Sequence, residues 1–203
     1  MKKKNQTYTR SEMKENKTFS LVAYLVIAIS KIDVILVDKN DNQIGVEEKL
    51  SAHKAGKLHR AFSIFVFNKK HELLIHKRAS GKYHSGGLWT NTCCSHPRVG
   101  EELDTAVHRR LEEELGFDTD LEKEFHFIYK AKVGELTEHE FDHVYFGTFE
   151  GEFTPDPEEV EDVEWISYDN LIKDMKDHPE KYTEWFKIIM DDHGDKIKEL
   201  WPN

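Results

Sequence analysis

One stretch limits the fold more than any other: Trp89 to Phe117, WTNTCCSHPRVGEELDTAVHRRLEEELGF. In its second half Leu103, Ala106, Val107, Leu111 and Leu115 recur at helical spacing and form one apolar stripe. Gly116 supplies a stop, so the pattern predicts a helix over about 101 to 116 whose stripe must be covered by another layer. Ahead of it, a loop carries Cys93, Cys94 and His96 toward the helix N-terminus, where the dipole favours anions and a lowered thiol pKa is expected. Taken alone, Arg109, Arg110, Glu112, Glu113 and Glu114 read as a solvated charged face. The thiol and imidazole in front of them are what suggest a site.

The rest of the chain supplies strands. Asp33 to Asp38 and Ile44 to Glu48 flank a turn at Asn40 to Asn42 and read as a hairpin. Lys49 and a loop carrying His53 and His59 follow. Ala61 to Asn68 and Leu73 to Arg78 form a second pair across a polar turn, and residues 79 to 88 read as a glycine-containing loop. Phe125 to Val133 alternates aromatic and apolar residues on one face, and Glu138 to Phe149 is a further strand. Beyond Pro155 and Pro157 come a strand at Val160 to Ser167 and a helix at Asp169 to Lys176. A last helix is expected over about Lys181 to Leu200, interrupted at Gly194. Hairpins and helices in this mixed order predict an α/β sandwich on a mixed sheet.

The sequence of 203 residues suits one domain with a sizeable core, assigned to residues 32–203. Residues 1–31 are set apart as an N-terminal extension, polar and lysine-rich up to residue 18 and then apolar from Phe19 to Ser30. Three readings of the apolar part stay open: a signal or anchor, an ordered extra element, or a non-functional extension. A net charge of −10 argues against nucleic acid or an anionic membrane as partner, and it requires basic residues to be gathered locally if the substrate is an anion. The two cysteines, adjacent in sequence, exclude a disulfide framework and favour a reducing, cytoplasmic setting.

Glu138 and Glu140 sit two apart on one strand, so both carboxylates project to the same side, roughly 7 Å apart. The strand alone reads either as a solvated acidic face or as part of a cation site. Likewise His53, His59 and His96 read singly as surface imidazoles, and Lys49, Arg78, Lys82 and Arg110 as solvated charges. Spacing alone does not unite these scattered positions.

A family resemblance does. Arg109, Leu111, Glu113, Glu114, Gly116 and Phe117 resemble the second half of the Nudix box, with Glu101 on its earlier glutamate. Arg110 stands where that box has Glu, and Ser95 where it has its leading Gly. Such a broken box after WTNTCCSHP is similar to type 1 isopentenyl-diphosphate isomerases, and AHKAGKLHRAF (52–62), KRASGKYHSGGLW (77–89), TEHEFDHV (137–144) and EWF (184–186) continue the likeness over roughly residues 33 to 190.

The resemblance implies a Nudix-type α/β/α sandwich with a mixed sheet and the isomerisation of isopentenyl diphosphate to dimethylallyl diphosphate in isoprenoid precursor synthesis. It implies that His53, His59, His96, Glu138 and Glu140 bind one divalent metal (Mn, Zn or Fe), a set of imidazoles and carboxylates suited to such an ion. By the same likeness Lys49, Arg78, Lys82 and Arg110 contact the diphosphate of an allylic or homoallylic substrate, and Glu114, with the Cys94 backbone, holds a magnesium bridged to it. Cys94 and Glu140 are the implied acid–base pair, Tyr129 assists proton delivery, and Trp185 offers its π face to a tertiary carbocation. Cys93 reads as a packing residue. No membrane partner is required, and a monomer or homodimer is expected. A pyrophosphohydrolase, or an idle metal-binding adaptor, remain the competing readings.

Overall fold

The computed structural model describes residues 32–201, so the expectations for residues 1–31 lie outside the described residues. The elements run β1 (Asp33–Val37), β2 (Gln43–Glu48), α1 (Lys49–Ala55), β3 (His59–Phe67), β4 (Leu73–Arg78), β5 (Trp89–Thr90), β6 (Cys93–Ser95), α2 (Leu103–Leu115), β7 (Leu121–Val133), β8 (Leu136–Thr148), β9 (Val160–Ile166), α3 (Tyr168–Asp177), a 3₁₀ turn (Pro179–Lys181) and α4 (Glu184–Leu200). Among the described residues all nine strands join one mixed sheet. Its centre is β3, which pairs parallel with β8 along its whole length and antiparallel with β6. β1 with β2, β4 with β9, and β7 with β8 are antiparallel partners.

Alternation along β3 builds two cores, one on each side of the sheet. Phe62, Ile64 and Val66 pack with Cys93, Tyr145 and the α2 stripe of Ala106, Val107, Leu111 and Leu115. Phe65 and Phe67 pack on the other side with Val144, Phe146, Phe127 and the α4 residues Trp185, Phe186, Ile189, Met190 and Ile197. Helices therefore cover both faces, as expected of an α/β/α sandwich. Among the described residues no helix is long and apolar enough to cross a membrane.

Several sequence expectations need correction. The segment after Lys49 is a helix, not a loop: Glu48 accepts from the backbone N–H groups of Leu50 and Ser51 at 2.9 Å each, and Gly56 ends the helix at φ 61°. His59 opens β3 rather than lying in that loop. Cys93 and Cys94 lie in a short strand, paired with Ile64 and Ser63. The middle helix starts at Leu103, two residues later than expected. α4 begins at Glu184 and runs unbroken through Gly194, whose carbonyl accepts from the Tyr168 hydroxyl at 3.5 Å.

Gly116 does more than stop α2. It holds φ 74°, and a Cβ there would lie 2.4 Å from the Thr154 carbonyl oxygen, so both backbone conformation and space exclude a side chain. Gly116→Ala is expected to destabilise the chain by at least about 2 kcal/mol in equilibrium urea unfolding. A midpoint unchanged from the parent would contradict that reading.

Candidate active site

The described cavity with the densest set of chemical groups has a volume of about 80 Å³ and opens where the α4 face of the sheet meets residues from α1, α2 and the 79–88 loop. It is lined by every expected metal, substrate or catalytic residue except His59, which is fully buried against His53, His96 and Glu140. Strand register explains the convergence. His59 pairs with Glu140, Tyr129 with Glu140, and Ala131 with Glu138, so all point to the same face. β6 aims Cys94 to this face and Cys93 to the α2 core.

The three imidazoles and two carboxylates form a compact donor set. Nδ1 of His53 donates to the Lys49 carbonyl at 2.6 Å and Nδ1 of His59 to the Lys57 carbonyl at 2.8 Å. These bonds leave both Nε2 atoms as lone pairs aimed inward, the arrangement of metal-binding histidines. Donor atoms of His53, His59, His96 and Glu140 all lie within 4.8 Å of one another. Nε2 of His59 and of His96 face each other at 3.2 Å, and Oε1 of Glu140 is 2.8 Å from His96 Nε2. Glu138 brings Oε2 to 2.9 Å from His53 Nε2, yet that nitrogen makes no aligned hydrogen bond. The other Glu138 oxygen is buried without a partner. Glu138 and Glu140 are only 3% and 8% exposed, which removes the solvated-face reading. Convergent lone pairs and an orphaned buried oxygen fit a divalent cation; an apolar filling does not satisfy them.

Acid–base groups stand beside this set. The Tyr129 hydroxyl donates to Glu140 Oε2 at 2.7 Å. Burial works to raise the Glu140 carboxyl, but the imidazoles of His59 and His96 outweigh it and hold it well below the usual range. Burial pushes the Tyr129 hydroxyl up, and Glu140 adds to that. Burial likewise pushes the Cys94 thiol up to about 12, with Arg78 opposing. Of the two causes expected from the sequence to lower this thiol, a nearby metal and the helix N-terminus, the second is corrected: Cys94 lies on the face turned away from the α2 core. Trp185 is fixed by a 2.9 Å hydrogen bond from its Nε1 to Thr90 Oγ1, and the Arg78 guanidinium sits 5.2 Å from its ring centroid.

At the cavity mouth the basic residues are gathered. Burial lowers the Lys49 ammonium, opposed by Glu138 and Glu140. Arg78 has a buried Nε with no partner. Lys82 is paired with Glu159, while Arg110 is paired with Glu114 and with Glu113 at 2.9 Å. Sequence reasoning passed over four lining residues: Tyr83, His84, Ser95 and Glu159. Glu159 precedes a strand with no periodic signal of its own, and Tyr83 and His84 lay inside a recognised motif without a role.

Comparison with known proteins adds an independent finding. A family profile described as the NUDIX domain matches residues 57–186. A protein named isopentenyl-diphosphate Delta-isomerase 2 from Aromatoleum aromaticum is 50% identical over 159 residues, covering 78% of this chain and 84% of that protein. An isopentenyl-diphosphate Delta-isomerase of Serratia proteamaculans is 48% identical over 169 residues, covering 83% of this chain and 94% of its own length. Among solved structures, a Deinococcus radiodurans protein aligns with TM-score 0.61 at 16% identity over 72% of this chain and 90% of that one. A MutT protein from Methanosarcina mazei aligns at 0.56 and 16% identity, over 70% and 96%. At that identity the two structures speak to the fold alone.

Proposed function

The chain belongs to the isopentenyl-diphosphate Delta-isomerase family of Nudix-fold proteins, and on that premise we propose that its cavity moves the double bond of isopentenyl diphosphate to give dimethylallyl diphosphate. The observation that carries this reading is that Cys94, Glu140 and Trp185 line one cavity together. The reaction adds a proton at C4 and removes one from C2 of a short allylic unit, so two acid–base groups must flank a space that excludes water. Cys94 on one side and Glu140 on the other are that acid–base pair, one giving the proton to C4 and the other taking the proton from C2. Tyr129, hydrogen-bonded to Glu140, shares the proton at that oxygen and orients it. The charge built up at C3 is tertiary and is met by the Trp185 ring rather than by a nucleophile.

His53, His59, His96 and Glu140, with Glu138 against His53, would hold one manganese, zinc or iron ion, and Glu114 with the Cys94 backbone would hold a magnesium. When bound, these ions supply fixed positive charge that orients Glu140 and neutralises the diphosphate. Lys49, Arg78, Lys82 and Arg110 grip the diphosphate, which displaces Glu159 from its pairing with Lys82. Arg110, standing where a Nudix hydrolase keeps a metal-binding glutamate, favours substrate retention over water activation. We place the chain in the cytoplasm, as a monomer or homodimer, with residues 32–203 as one catalytic domain and residues 1–31 as an extension that turnover does not require.

Proton NMR of isopentenyl diphosphate incubated with the full chain in D₂O tests this directly. Dimethylallyl diphosphate with deuterium at the allylic positions, and no phosphate release, is the expected result. Release of phosphate, or no exchange with the metal-loaded chain, would overturn it.

A further inference from the structure

We infer that His84 is a positioning residue that holds the outer oxygen of Glu138 and ties the metal carboxylates to the Trp185 ring. This rests on the metal-site reading above and goes beyond it by giving a role to a residue of the 79–88 loop.

The loop is built to present this side chain from a fixed place. Its ends are pinched by hydrogen bonds from Arg78 N to the Leu88 carbonyl and from Gly87 N to the Arg78 carbonyl, both 2.9 Å. Ser85 holds φ 51°, and a Cβ on Gly86 would stand 2.7 Å from the Ser80 carbonyl oxygen, so the backbone has little freedom next to His84. The imidazole then lines the cavity between three partners. It meets Tyr83 at a centroid distance of 4.3 Å, Trp185 at 5.8 Å and 85°, and His53 at 6.4 Å. Edge-to-face packing on both Tyr83 and Trp185 fixes the ring plane.

That plane directs Nε2 at Glu138 Oε1, 3.6 Å away. Oε1 is the Glu138 oxygen that is buried with no hydrogen-bond partner, while Oε2 faces His53. Nδ1 of His84 lies 3.4 Å from the Ser85 hydroxyl, which can donate to it and leave the proton on Nε2. A carboxylate that gives one oxygen to a metal is oriented by what holds the other, and His84 Nε2 approaches this otherwise unpaired oxygen. A displacement of about half an ångström turns the present approach into a hydrogen bond.

The test uses the full chain, stripped of metal, with manganese and then zinc as probes in competition with a chelator of known affinity. His84→Phe keeps the aromatic packing and removes the N–H; it is expected to bind metal at least about tenfold more weakly than the parent. His84→Gln restores a donor and is expected to stay within about threefold. His84→Leu, read the same way, replaces the Phe variant if that chain melts early. A Phe variant within threefold of the parent overturns the inference, as does a Gln variant as weak as the Phe variant. A parent chain that binds neither ion overturns the metal-site reading itself, so the two failures remain distinct.

Discussion

Cys94→Ala is expected to lower kcat on isopentenyl diphosphate by about 10²- to 10⁴-fold, the range lost when a positioned acid or base is removed. The size follows from the position of the sulfur. Cys94 lies on the cavity face of β6, paired through Ser63 to the centre of the sheet, and the cavity has no other thiol. Cys93 cannot substitute, because strand alternation places it in the α2 core with no exposed surface. Removing one sulfur atom there takes away one of the two acid–base groups and little packing. Metal content and the melting temperature should therefore stay with the parent while initial rates collapse. Turnover within tenfold of the parent would remove Cys94 from the chemistry.

The second large effect concerns the metal. His59→Ala and Glu138→Gln should each reduce bound metal to below about a tenth of the parent stoichiometry by elemental analysis of the purified chain. Glu138→Gln is the cleaner variant, because it preserves shape and removes only charge from a buried position. His59 contributes twice: its Nε2 is 3.5 Å from Glu140 Oε1 and 3.2 Å from His96 Nε2, so its loss also frees the carboxylate assigned to proton transfer. Turnover should fall with metal content and return in part when excess manganese is added to Glu138→Gln. Full stoichiometry in either variant would strike that residue from the ligand set.

How far the sequence reaches depends on the range of the physics. Period-two and helical patterns are local, so the hairpins, the α2 stripe and the last helix were readable within a few residues. The parallel pairing of β3 with β8 joins residues about eighty apart in sequence, and no local pattern announces it. That pairing sets His59 beside Glu140, which is why the metal ligands looked scattered until a family resemblance joined them. α1 was missed although both its signals were present, Glu48 at the start and Gly56 at the end; seven residues are too few for a helical period to declare itself. The helix N-terminus is out of reach of Cys94 for a similar reason. Proximity along the chain to a helix start says little about which side of a strand a sulfur faces.

The opposed aim of the adjacent cysteines has one more consequence. A small alkylating reagent that enters the cavity of the folded chain meets a single sulfur, while the neighbouring one is shielded by the whole thickness of the sheet. Labelling should not exceed one equivalent per chain until denaturant is added, and mild oxidation has no route to a bond between the two.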